Sequence, residues 1–309
     1  MASFSTSLPA RSFRPGPLDR LATVLAGFSL PLLFIVLWSS GYVAGKLALP
    51  HTGPLTLLTL RFGLAAVVLL AVAVVTKAPW PKARDWGHLA VVALLMQVLH
   101  FSAIYFALRH GLSAGVAGLL IGLMPLATAL GAHLWLAEKL NARQAVGLVG
   151  GLAGVALVVG GKPLAGAGLS YALAALGLLG LVAGTLYQKR FCAHMDLRTG
   201  SGVQMAVSAL TVAAVAGPTE GFAIAWQWEL VGAWLWLGLV NSIGAFSLMF
   251  VMIRRGQAGD VARLFFLVPG MSALMGFVLL GERLEPLALA GFVISAVAVC
   301  AAAAGPARR

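Results

Sequence analysis

Two stretches of the chain read in register with each other: MPLATALGAHLWLAEKLNARQAVGL at residues 124–148 and VPGMSALMGFVLLGERLEPLALAGF at residues 268–292. Pro125 pairs with Pro269, Glu138 with Glu282, Lys139 with Arg283, Leu140 with Leu284 and Gly147 with Gly291, every pair 144 residues apart. The same spacing pairs Gln97 with Asn241, and the SAG at Ser113 with the QAG at Gln257. A weaker match, slipped by one residue, sets Gly41 against Gly184 and Lys46 against Lys189. The chain repeats itself.

Each of the two stretches is an apolar run that ends in charge, and such runs fill the sequence. Of 309 residues, 61% are hydrophobic and only 10% charged, and the mean hydropathy is +0.97. A soluble domain cannot bury that much apolar surface, so lipid is the expected solvent. Runs long enough to span a bilayer are read at Leu30–Leu49, Leu55–Val75, Trp86–Leu108, Leu112–Leu136 and Ala142–Gly161 in the first half. In the second half they are Leu169–Tyr187, Gly202–Ala216, Leu230–Ile253, Val261–Leu280 and Pro286–Ala304. The alternation that a membrane barrel needs is absent. The expected fold is therefore an all-α membrane protein of ten transmembrane helices. Five is odd, so the second repeat enters the membrane from the opposite side, which is a transporter architecture. The expected division is a disordered basic cytoplasmic tail over residues 1–27, then repeats over 28–161 and 167–305.

The net charge of +12 raises the question of nucleic acid, and its distribution answers it. Basic groups at Arg11 to Arg20, Lys77 to Arg84, Lys139 to Arg143, Lys189 to Arg198, Arg254, Arg255, Arg308 and Arg309 alternate with segments holding only Arg109, Lys162 and Arg283. That asymmetry is the positive-inside pattern and predicts cytoplasmic termini. The expected setting is a bacterial inner membrane, with lipid and a small-molecule substrate as partners, a homodimer as one assembly to consider, and no nucleic acid. Cys192 and Cys300 make no disulfide framework. The first apolar stretch lacks a small-residue cleavage site and reads as a span, not a removed leader.

LWSSGYVAGKLAL (37–49), LTLLTLRFGLAAVVLL (55–70), SAGVAGLLIGLMPLATALGAHLWLAEKL (113–140) and VPGMSALMGFVLLGERL (268–284) resemble the EamA branch of the drug/metabolite transporter superfamily. The resemblance runs over nearly the whole chain after residue 30. It implies ten helices, a central cavity built by both halves, and export of amino acids or other small metabolites. The sixth span, LLGLVAGTLYQKR, departs from the pattern by lacking a tryptophan often found there.

Candidate chemistry starts from what is missing. None of the nine acidic residues falls in the middle of an expected span. A membrane-embedded coupling carboxylate is therefore not expected. Gln97 and Asn241 lie mid-span at equivalent positions, either as a polar substrate site or as interhelical hydrogen-bonding glue. Arg61 sits a few residues into the second span and either attracts a substrate carboxylate or snorkels to the interface. Snorkelling is also the expectation for Lys46 and Arg263. His100 shares a helix face with Gln97 and is a candidate proton relay against the plainer reading of a hydrogen-bonded histidine. Trp38, Tyr42, Tyr105, Tyr187, Phe246 and Phe265 are pathway candidates by stacking, with ordinary packing as the alternative for each.

Pro125 and Pro269 are expected hinges, because each removes a helical hydrogen bond. Glu138 and Lys139 at one rim, and Glu282 and Arg283 at the other, are expected to anchor helix ends or latch gates. Gly147 with Gly151, and Gly150 with Gly154, mark close helix packing, within the chain or at a dimer face. GLSAG at Gly111–Gly115 matches a nucleophile-elbow pattern, but it lies in a tight interhelical loop. A membrane serine hydrolase using Ser113 and a non-transporting sensor are the rival functions. No Walker A motif occurs, and no metal site or cofactor is expected. The reading is a secondary transporter or facilitator, not an enzyme.

Overall fold

The computed structural model describes residues 17–136, 141–160, 164–245, 247–248, 267–283 and 286–303. Among these the chain is helical throughout, and its one β-type contact is an isolated bridge between Thr52 and Ile224. The helices are α1 (Pro17–Ala48), α2 (Pro54–Val75), α3 (Trp86–Val92), α4 (His100–Arg109), α5 (Ala114–Gly122), α6 (Met124–Leu136), α7 (Ala142–Gly160), α8 (Leu164–Phe191), α9 (Leu197–Glu220), α10 (Trp228–Leu235), α11 (Val268–Leu280) and α12 (Pro286–Ala303). Five helical stretches are long and apolar enough to cross a membrane: Pro54–Val75, Ala83–Arg109, Ala114–Trp135, Gly168–Phe191 and Leu197–Glu220. Leu32–Ala48, Ala142–Val158, Val268–Leu280 and Leu289–Ala298 are shorter apolar helices. Outward faces are apolar as well, with Leu134, Val146, Leu152, Val293 and Val297 all exposed. Such a surface is stable in lipid and not in water, so the chain is an integral membrane protein.

Several ends differ from the sequence reading, for local reasons. α1 starts at Pro17, inside the segment expected to be a tail, and proline suits a first helical turn. α9 runs well beyond the expected Gly202–Ala216. Asp196 caps its start through the Arg198 N–H, and Gly221, at φ 61°, closes its end by donating to the Ala216 and Gly217 carbonyls. α2 has no side-chain cap on its own N-cap residue, Gly53. Glu220, at the end of α9, supplies one instead. Its carboxylate accepts from the Leu55 N–H at 3.0 Å, the Thr56 N–H at 2.7 Å and the Thr56 hydroxyl at 2.7 Å. The two N–H groups are orphan donors of the first turn, and a carboxylate there also meets the positive end of the helix dipole.

Two stretches widen into π-helical turns, Ala93–Leu99 between α3 and α4, and Trp236–Ala245 after α10. They fall at equivalent positions of the two repeats and contain Gln97 and Asn241. The packing partners exchange in the same way. α2 packs on α9, α5 on α11 and α7 on α12. α1 lies along the second π-helical turn and α11, whereas α8 lies along the first and α6.

Glycine permits the closest of these contacts. A Cβ on Gly154 would overlap Ser295, and its carbonyl neighbour Gly291 O would be 2.6 Å away. Gly150 likewise faces Ala298. The Gly150 and Gly154 pair is thus taken up within the chain, by α12. The expected hinge at Pro125 is displaced: the break between α5 and α6 falls at Leu123, and Pro125 sits in the first turn of α6, where its missing N–H leaves no gap. Pro269 likewise occupies the first turn of α11. Glu138, Lys139, Phe246, Arg263 and Phe265 lie outside the described residues.

Candidate functional site

Six of the expected pathway residues meet around one cavity. Trp38, Gly41 and Tyr42 come from α1, Arg61 from α2, His100, Phe101 and Tyr105 from α4, and Asn241 from the second π-helical turn. The empty space, its mouth included, is about 350 Å³. The first repeat builds most of the wall and the second closes it.

Arg61 is the charge in this wall. It does not snorkel: it is 2% exposed and turned into the bundle. Nε donates to the Ser242 hydroxyl at 2.9 Å and one Nη1–H to the Tyr105 hydroxyl at 2.8 Å. The guanidinium carbon lies 4.1 Å from the centre of the Phe101 ring. All these partners are neutral, and among the described residues no carboxylate pairs with Arg61.

His100 is 1% exposed, and its Nδ1 lies 2.9 Å from the Gly177 carbonyl of α8. A carbonyl only accepts, so Nδ1 is the donor in this contact. Asn241 donates from Nδ2 to the Leu37 carbonyl at 2.6 Å, and its buried Oδ1 has no hydrogen-bond partner among the described residues. Gly41 makes this fit possible, since a Cβ there would be 2.8 Å from Asn241 Nδ2. Gly184, its repeat counterpart, faces the backbone of Met96 just as closely.

Gln97 is equally buried and its Oε1 also lacks a partner among the described residues, but it does not line the cavity. The two equivalent amides therefore have unequal surroundings. Tyr187 is absent from the wall too. Its hydroxyl meets His88 Nδ1 at 2.9 Å, and its ring packs with Phe191 and Trp135 near the far end of α8. Phe101 and Ser242 complete the site without having been singled out, because they carry no motif; the repeat spacing marked Gly41, but not as part of the site.

The rim residues are rearranged as well. Glu282 does not pair with the adjacent Arg283, which is exposed. It pairs with Lys46 of α1 and accepts from the Ala114 N–H at the start of α5. Lys46 also donates to the Leu112 carbonyl at 3.3 Å, so it too is held rather than snorkelling. Ser113 caps α5 through the Val116 N–H at 3.2 Å, the duty of an N-cap residue. Among the described residues no group of His, Cys, Asp and Glu is arranged to hold a metal.

The chain matches the pattern of the EamA-like transporter family twice, over residues 25–160 and 168–303. It is 24% identical to the uncharacterized transporter YvbV of Bacillus subtilis, covering 92% of both chains. It is 27% identical to a probable amino-acid metabolite efflux pump of Salmonella typhimurium, over 86% of this chain and 90% of that one. A probable terminal-alkyne amino-acid exporter of Streptantibioticus cattleyicolor is 29% identical, over 84% of this chain and 87% of that one. A solved crystal structure shares the fold, with a TM-score of 0.63 at 19% identity, over 92% of this chain and 97% of that one.

Proposed function

Because the chain belongs to the EamA-like transporter family, we propose that it is a secondary transporter that exports small amino-acid-like or amphipathic metabolites by alternating access. In this reading ten spans form two inverted repeats in the inner membrane, with both termini cytoplasmic. The exchange of packing partners between the halves supports the inverted arrangement. So does the recurrence of a π-helical turn at equivalent positions.

The observation that carries the proposal is the cavity between the repeats, where Asn241 of the second faces Arg61, Tyr42 and Tyr105 of the first. A site shared by both halves changes its exposure when one half rocks against the other. Export and amino-acid-like cargo are drawn from the Salmonella and Streptantibioticus relatives. Saturable counterflow in proteoliposomes, screened over amino acids and amphipathic acids with and without a pH gradient, tests it. Absence of saturable flux for the whole panel overturns it.

A further inference from the structure

We propose that Arg61 holds the carboxylate of the cargo, so that the cavity selects apolar or aromatic monocarboxylates and rejects the corresponding amines. The proposal rests on the transport reading for its purpose but not for its chemistry.

Arg61 offers five N–H donors, and Ser242 and Tyr105 take two of them. Both acceptors are neutral hydroxyls. They fix the plane of the guanidinium without neutralising it. An arginine inside a membrane protein is costly unless it is compensated. Burial at 2% exposure with no carboxylate partner among the described residues therefore leaves a charge waiting for an anion. A carboxylate is the anion whose two oxygens match the guanidinium fork.

Asn241 gives a second, independent indication. Asn241 lies in the same wall, and its Oδ1, which has no partner among the described residues, can take a hydrogen from an amino or hydroxyl group on the cargo. It is neutral, so it cannot hold a lone ammonium against the repulsion of Arg61. Trp38, Tyr42 and Phe101 provide surface for an apolar body. The recognition order follows from these groups: the carboxylate is required, the amine is optional, and the side chain is apolar.

The test uses the purified full-length protein and four probes: phenylalanine, hydrocinnamate (the same skeleton without the amine), phenethylamine (without the carboxylate) and phenylpropanol (with neither charge). Binding is read by calorimetry, and flux in proteoliposomes. Phenylalanine and hydrocinnamate are expected to bind, and the other two to bind more weakly by about 10–100-fold, the worth of a charge-assisted hydrogen bond. R61Q is expected to erase that difference, and R61K to retain part of it, because lysine keeps the charge and loses the fork. If R61Q fails to fold, the selectivity of the unaltered protein decides. Phenethylamine binding as tightly as hydrocinnamate overturns the proposal, as does failure of both carboxylate probes to bind. Carboxylate-selective binding without flux sustains this site and counts against transport. Saturable flux blind to the carboxylate does the reverse.

Discussion

Lys46 Nζ and Glu282 Oε1 stand 2.5 Å apart and join α1 of the first repeat to the loop after α11 of the second. The same carboxylate accepts the Ala114 N–H, so one acid performs an ion-pair duty and a helix-cap duty. E282Q weakens both and is expected to lower stability by about 1–3 kcal/mol. K46M leaves the cap in place and is expected to lower it by less. The charge-swapped pair K46E/E282K should not recover, because lysine at position 282 cannot accept from an N–H. Thermal unfolding of the four proteins in one detergent checks the order, and full recovery in the swap would show that the cap duty is negligible.

Glu220 and Gly53 are coupled by shape. A Cβ on Gly53 would overlap the Glu220 carboxylate, which three hydrogen bonds hold in place. E220A is expected to cost about 1–2 kcal/mol, as loss of an N-cap does. G53A should be costly in the native background and nearly harmless in E220A, because its damage is transmitted by the displaced carboxylate. Additive melting-temperature shifts would contradict that coupling.

The helical, two-repeat character of the chain was legible because it rests on one-dimensional signals. Apolar runs mark spans, and the Pro125/Pro269 and Glu138/Glu282 spacing marks the repeat whatever the side chains touch. Trp38, Tyr42, Arg61, His100, Tyr105 and Asn241 were legible as candidates, since polar or aromatic groups inside apolar runs stand out, and all six line the cavity. Which of them meet was not legible. Gln97 and Asn241 are equivalent by spacing, yet only Asn241 reaches the cavity, because Gly41 lets α1 close onto it. Glu282 pairs with Lys46, 236 residues away, and no local pattern carries a partnership at that separation.

Asp196 gives stability a pH dependence on the loop before α9. The Arg198 side chain, hydrogen-bonded to it, holds its carboxyl below the ordinary 3.8. A lowered folded-state value means that the contribution is complete above the ordinary carboxylate value and fades as pH falls through the folded one. D196N removes the charge and keeps a competent N-cap. The melting-temperature advantage of the native protein over D196N is therefore expected to be steady near neutrality and to shrink below about pH 4. Both side chains are partly solvent-exposed, so the advantage is small. A gap unchanged down to about pH 3 would mean that the pair stabilises nothing.

Gly154 and Gly291 bring α7 and α12 to backbone contact, each facing the carbonyl of the other. Neither carbonyl can move aside without moving its helix. G154A and G291A are each expected to lower stability by about 1–3 kcal/mol, the usual range for overpacking. G63A is the control, because nothing lies within 4 Å of a Cβ at Gly63. There the better helix propensity of alanine should leave stability unchanged or raise it by up to about 1 kcal/mol. Equal effects at Gly154 and Gly63 would remove the contact argument.

Gly41 separates site from scaffold. Alanine there would place a Cβ 2.8 Å from Asn241 Nδ2, and the atom in the way belongs to a side chain that can swing. The backbone is thus spared, and G41A should unfold within about 1 kcal/mol of the native protein, since alanine also improves helix propensity. The amide, pushed from the Leu37 carbonyl, shifts Asn241 within the cavity wall. Substrate affinity is expected to change about 3–30-fold, the range for one displaced hydrogen bond. In N241A, where no amide remains to displace, adding G41A should change affinity no further. A G41A effect that persists in N241A would assign it to the packing of α1 and not to Asn241.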